Sequence, residues 1–187
     1  MNGDNVTEIL LDMDGVLCDF VGAMCDAHGI ENPWNDPRNH GRWDAFHDGT
    51  PSADDDKFWK PAGTVKFWSD MRQTADGEAL MLAAQMAVGR KYVFLATTPT
   101  RSPASWQGKA EWVRKNMPDS EERLIMLRAK WLCASPTTLL IDDNDENYRA
   151  FCARGGQAIL VPRLWNSLYP VADDAVGHVR RELNARL

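Results

Sequence analysis

The sequence predicts an α/β protein: a parallel sheet covered by helices on both faces, with a small cap inserted after the first strand. Three observations lead there. Short runs of apolar residues, too continuous for strands with one wet face, alternate with helical periodicities. Each run stops at small polar or acidic residues instead of a hairpin turn. Between the first run and the rest lies a stretch of different character, broken by Pro and Gly yet rich in aromatic rings. The length of 187 residues suits one domain of ordinary size with a small insert and a real core.

Taken in order, residues 9–11 form the first strand, which ends in Asp12, Asp14 and the turn residue Gly15. Asp19 is placed to cap a helix over 20–28, with Val21, Met24 and Cys25 at helical spacing. The stretch 29–63 carries Trp34, Trp43, Phe46, Phe58 and Trp59; it is too aromatic for disorder and too broken for long helices. Helices follow over 65–71 and 77–88, the second apolar nearly all round and so expected to be buried. A second strand over 92–96 stops at Thr97, Thr98 and Pro99. The amphipathic stretch 104–117 places Trp106, Ala110 and Val113 on one side of a helix and Lys109 and Arg114 elsewhere. A third strand over 122–127 leads into Arg128 and Lys130, and a fourth over 138–141 ends in Asp142 and Asp143. A helix over 147–153 stops at Gly155 and Gly156, a fifth strand over 157–161 stops at Pro162, and the tail 171–187 reads as a surface helix. The division expected is a core of 1–19 and 77–187 with a cap of 20–76.

Composition narrows the function. A net charge of -6 and an isoelectric point near 5.2 argue against a general nucleic-acid binder, which needs clustered Lys and Arg, so no stable nucleic-acid complex is expected. No apolar run is long enough to cross a bilayer and the N-terminus lacks the regions of a signal peptide, so the expected location is the cytoplasm, away from any membrane. Cys18, Cys25, Cys133 and Cys152 show no metal or redox spacing and read as reduced thiols in or near the core. His28, His40, His47 and His178 show no ligand spacing either.

In parallel sheets ligands bind beyond the carboxyl ends of the strands. That rule brings Asp12 and Asp14, Thr97 and Thr98, Lys130, and Asp142 and Asp143 to one rim. Asp-x-Asp-Gly alone is weak, since calcium loops and acidic turns share it. Together, however, a carboxylate nucleophile, hydroxyl donors, a fixed cation and a second acidic pair are the parts that phosphoryl transfer through an aspartyl-phosphate needs.

Those four segments (Asp-Met-Asp-Gly-Val, the Thr closing Phe-Leu-Ala-Thr, Lys130, and the pair closing Leu-Leu-Ile-Asp-Asp) resemble the motifs of the haloacid dehalogenase superfamily, and specifically its phosphatases. More narrowly, DMDGVLCDF, Thr97-Thr98-Pro99 and Arg128-x-Lys130 resemble the 5'(3')-deoxyribonucleotidases, with Thr98 where that family has Ser and a lysine slightly farther from the acidic pair. The resemblance implies a Rossmann-like core and an Mg2+-dependent phosphatase acting on a small phosphorylated substrate, a nucleoside monophosphate and above all a deoxyribonucleotide. Asp12 would attack phosphorus and Asp14 would protonate the leaving oxygen. Thr97, Thr98 and Lys130 would hold the phosphate, and Arg128 would either bind it too or close a surface salt bridge. Asp12, the Asp14 backbone carbonyl and Asp143 would ligate Mg2+, with Asp142 as a further ligand or as an orienter of Lys130. Phe20, Phe46 and Trp59, with Trp43 and Phe58, would line the base pocket. Another small phosphate ester or a nucleic-acid 3' phosphate is the alternative substrate. A phospho-accepting receiver module shares the ingredients, but carries its acidic pair after the first strand and its acceptor after the third, the reverse of this layout.

Overall fold

The computed structural model describes residues 5–48, 50 and 56–187. Residues 49 and 51–55 of the expected insert, and the side chains of His47 and Asp48, lie outside the described residues. Five strands, β1 (Glu8–Asp12), β2 (Val93–Thr97), β3 (Leu124–Met126), β4 (Thr138–Asp142) and β5 (Gln157–Leu160), form one all-parallel sheet in the order β3-β2-β1-β4-β5. The helices are α1 (Phe20–His28), α2 (Asp56–Trp59), α3 (Val65–Ser69), α4 (Gly77–Val88), α5 (Pro103–Asn116), α6 (Asp145–Ala153) and α7 (Ala175–Asn184).

The central strand shows why both faces are covered. Leu11 pairs in register with Leu95 of β2 and Ile141 of β4. Alternation then sends Ile9 and Leu11 into the larger apolar core and Leu10 into a smaller one with Ala96, Leu140, Phe151 and Ala158. A fully buried Leu or Ile contributes roughly 1.5–3 kcal/mol, so these three positions anchor β1 against both cores. The order in which strands are added across the sheet reverses between β1 and β4, the point in an open parallel sheet where the loops part and a crevice opens. Asp12 ends one of these strands and Asp142 the other.

The segment between β1 and α4 leaves and rejoins the sheet at one place. The Asp19 amide donates to the Arg72 carbonyl (2.8 Å), and Thr74 donates through its amide to Leu17 (3.0 Å) and through its hydroxyl to Val16 (2.6 Å). Its interior is built of short 3-10 turns and aromatic contacts, such as Trp34 edge-on to Phe46 at 5.0 Å. The far end leans on the core: α3 lies against α5 at Gly108, where a Cβ would strike Trp68 and the Val65 carbonyl.

Three expectations need correction. In α5 the buried face is Ser105, Gly108, Lys109, Trp112 and Val113, while Trp106 is 42% exposed; the helix is rotated from the orientation its tryptophans suggested. α4 has the expected bounds but is not buried all round, since Leu82 and Met86 face outward. The thiols are all free, yet only Cys18 and Cys25 are buried, and Cys152 is exposed. No described helix is long and apolar enough to cross a membrane.

Candidate active site

The acids after β1 lie on a turn that its sequence dictates. Gly15 adopts φ +75°, which an L side chain rarely takes, and a Cβ there would collide with the Asp143 carboxylate. Only glycine lets the β1 and β4 loops approach this closely. Arg163, after β5, fixes the turn from behind: its Nε donates to the Gly15 carbonyl (2.8 Å) and its two terminal nitrogens grip Asp76 at 2.6 and 2.9 Å.

Asp12 is buried at the end of β1. Its Oδ1 accepts from the Met13 amide (2.7 Å) and pairs with Lys130 Nζ (2.6 Å), leaving Oδ2 without a donor among the described residues. Lys130, also buried, bridges to Asp142 Oδ2 at 2.7 Å. Asp142 is saturated, because its oxygens also accept from the Asn144 amide (2.9 Å) and the Asn147 side chain (3.1 and 3.3 Å). Asp143 accepts from Trp165 Nε1 (2.7 Å) through Oδ2, and its Oδ1 has no donor among the described residues. Asn166 holds the Asp143 and Val161 carbonyls, each at 2.8 Å.

Thr97, fully buried at the end of β2, donates to Asp14 Oδ2 at 3.3 Å. Both also contact Lys109, whose ammonium pairs with Asp14 and lies 2.6 Å from Thr97 Oγ1. Sequence reasoning missed this lysine, and with it Arg163, Trp165 and Asn166. The signal for Lys109 was present: Ser105, Trp112 and Val113 stand four before, three after and four after it, so it shares their helical face.

Electrostatics show the centre to be rich in negative charge. Burial first, then the Asp142 carboxylate, raises the Asp12 carboxyl well above the usual range, against the pull of Lys130. Burial and Asp142 likewise push Asp143 up to about 7, against the lowering by Trp165. Burial alone would lower the Lys130 ammonium, but Asp12 and Asp142 raise it overall. Four carboxylates (Asp12, Asp14, Asp142, Asp143) face two ammonium groups (Lys109, Lys130), an excess of two negative charges when all are ionised. Oxygens of Asp12, Asp142 and Asp143 lie within 4.8 Å of one another. An all-oxygen donor set with this excess fits a hard divalent cation.

These groups floor a cleft of about 240 Å³ whose other wall is aromatic. Asp12, Asp14, Lys130, Asp143 and the exposed Thr98 line it together with Phe20, Trp34, Trp43, Phe46, Phe58, Trp59, Trp68 and Trp165. Phe20 is stacked between Trp68 (5.7 Å) and Trp59 (6.3 Å), so much of its ring is already covered. Arg128 is exposed and is not among the lining residues, and the buried Thr97 reaches the site through Asp14.

The fold is similar to that of a haloacid dehalogenase-like hydrolase from Bacteroides fragilis, with a TM-score of 0.52 and 17% identity over 82% of this chain and 86% of that one. It is also similar to L-2-haloacid dehalogenase from Xanthobacter autotrophicus, with a TM-score of 0.50 and 14% identity over 95% and 88% of the two chains. At these identities the likeness is one of fold. No curated protein is similar enough to count as a match. The model of the family described as "5' nucleotidase, deoxy (Pyrimidine), cytosolic type C protein" matches residues 5–169, nearly the whole chain. The strand-end acids, the threonine and the buried lysine therefore stand in a phosphoric monoester hydrolase of the haloacid dehalogenase type, and the chain belongs to the 5' nucleotidase, deoxy (pyrimidine), cytosolic type C family.

Proposed function

We propose that the protein is an Mg2+-dependent cytoplasmic nucleotidase that removes the phosphate of a nucleoside monophosphate, preferentially a deoxyribonucleotide, through an aspartyl-phosphate on Asp12. The observation that carries this reading is the bare Oδ2 of Asp12, held beside Lys130 in a cleft whose opposite wall is aromatic. Asp12 would attack phosphorus through Oδ2, forming an acyl phosphate while the bond to the leaving oxygen breaks. Asp14, in its protonated form, would pass its proton to that oxygen, so the nucleoside departs as a neutral alcohol. The same carboxylate would then take a proton from the incoming water, whose attack releases inorganic phosphate and restores Asp12. Lys130 and Thr98 would balance the charge on the phosphoryl oxygens, and Thr97, whose hydroxyl hydrogen goes to Asp14, would act through that carboxylate. Asp12, the Asp14 carbonyl and Asp143 would hold Mg2+, which when bound neutralises charge shared between phosphate and carboxylates. The saturated Asp142 is suited to fixing Lys130 and less to ligation.

In this reading residues 20–76 act as a cap that offers the base a set of rings, with Trp43, Phe46 and Trp59 at its wall. Arg128, exposed and not among the residues that line the cleft, is given no contact with the phosphate in this reading. The test is phosphate release from a panel of ribo- and deoxyribonucleoside monophosphates, sugar phosphates and 3'-phosphorylated oligonucleotides. Deoxyribonucleotides should be preferred and Asp12→Asn should abolish release while leaving the fold intact. A flat response across the panel would remove the nucleotide assignment.

A further inference from the structure

Lys109 is a buried charge at the site that the mechanism above leaves without a task. It is a lysine with 0% exposure in the middle of a helix, and such a charge is tolerated only when paired. Its ammonium contacts Asp14 Oδ2 and Thr97 Oγ1 and lies 4.9 Å from the centre of the Trp68 ring. Lys130 serves a different pair, Asp12 and Asp142. The two lysines thus divide the centre, one on the nucleophile and the other on the carboxylate that would handle protons.

We propose that Lys109 is a positioning residue that aims Asp14 and Thr97 for the proton-transfer step. The inference rests on the phosphatase reading above and assigns a role within it. An ammonium only donates, so at 2.6 Å it must use a lone pair of the Thr97 oxygen, and the hydroxyl hydrogen is turned away from it. That hydrogen points to Asp14 at 3.3 Å, closing a triangle in which each member restrains the other two. Asp14 is otherwise loosely held: its Oδ1 receives only the Cys18 thiol, at 3.5 Å, and its side chain is 24% exposed. Trp68 forms a wall behind the ammonium, and the approach of α3 at Gly108 keeps that wall in place. Without Lys109 the carboxylate would swing within the cleft, and the loss would fall on the step that needs its direction, not on the attack by Asp12.

The test compares esters that need a proton on the leaving oxygen with one that does not. With Lys109→Met, similar in length but uncharged, kcat/KM, which stops at departure of the leaving group and excludes the later water step, should fall about 10²-fold for an alkyl phosphate such as a nucleoside monophosphate, within the range of general acid–base catalysis, while kcat/KM for 2,4-dinitrophenyl phosphate should change less than about threefold. Lys109→Arg keeps the charge but displaces it and should show the same selective loss. In an Asp14→Asn background, adding Lys109→Met should cost little more, because both act on one step. Melting curves check that each variant folds; if Lys109→Met does not, the Arg variant carries the same comparison. Equal losses of kcat/KM on both esters, or losses that add to those of Asp14→Asn, would overturn the inference while leaving the phosphatase reading intact. Silence of the unmodified protein toward every ester would overturn both.

Discussion

Asp143→Asn should make the metal-free protein more stable. Burial, and after it the charge of Asp142, lifts the Asp143 carboxyl from 3.8 to about 7. With the folded value above the unfolded one, the folded chain keeps a proton that the unfolded chain has shed between about pH 4 and about pH 7, so stability falls as pH rises through that window. Each unit is worth about 1.4 kcal/mol, so ionising Asp143 costs the metal-free fold up to about 4 kcal/mol above that range. Asparagine carries no charge and can still accept from Trp165 Nε1, now 2.7 Å from Asp143. Urea unfolding in chelator should show the variant more stable by about 2–4 kcal/mol near pH 8 and nearly equal to the parent near pH 4. Added Mg2+ should stabilise the parent near pH 8 by mass action and leave the variant close to its chelated value. A variant less stable than the parent in chelator near pH 8, or a gain that does not change with pH, would refute the reasoning.

Lys130→Met leaves Asp12 and Asp142 facing each other without their bridge, and in chelator near neutral pH it should lower the unfolding free energy read from urea curves by about 3–5 kcal/mol, less as Asp12 takes up a proton in acid. Trp43, 56% exposed at the cleft wall, can be removed with little effect on folding. Trp43→Ala should raise KM for nucleoside monophosphates about 5- to 50-fold, the worth of a lost stacking contact, without changing KM for glycerol phosphate, which has no ring. An equal change for both substrates would place Trp43 outside the base pocket.

The strands and most helices were legible because their apolar runs and caps are local. Asp19 caps α1 by accepting from the Gly22 amide at 2.8 Å, and α4 has the bounds its pattern gave. The acidic rim was legible because chain direction in a parallel sheet is a general constraint. Lys109 was not, since a lysine in an amphipathic helix reads as solvated until its partners, Asp14 and Thr97, are known to lie opposite, and no local pattern announces them. Trp106 misled for the same reason: ring size is a poor guide to facing when a lysine occupies the buried stripe. Trp165 and Asn166 were hidden because the loop after β5 acts only through its approach to Asp143.

β1 also sets the order of events during synthesis. It leaves the ribosome first, yet its partners Leu95 and Ile141 come about 80 and about 130 residues later, a delay of roughly 6 to 26 seconds for β4 at cellular elongation speeds. An apolar strand that ends in Asp12 therefore waits beside a half-made chain with its sheet partners still unmade. When β4 pairs with β1 it brings Asp142 and Asp143 against Asp12, so the acidic rim is assembled by the same pairing that offers β5 its place at the edge of the sheet.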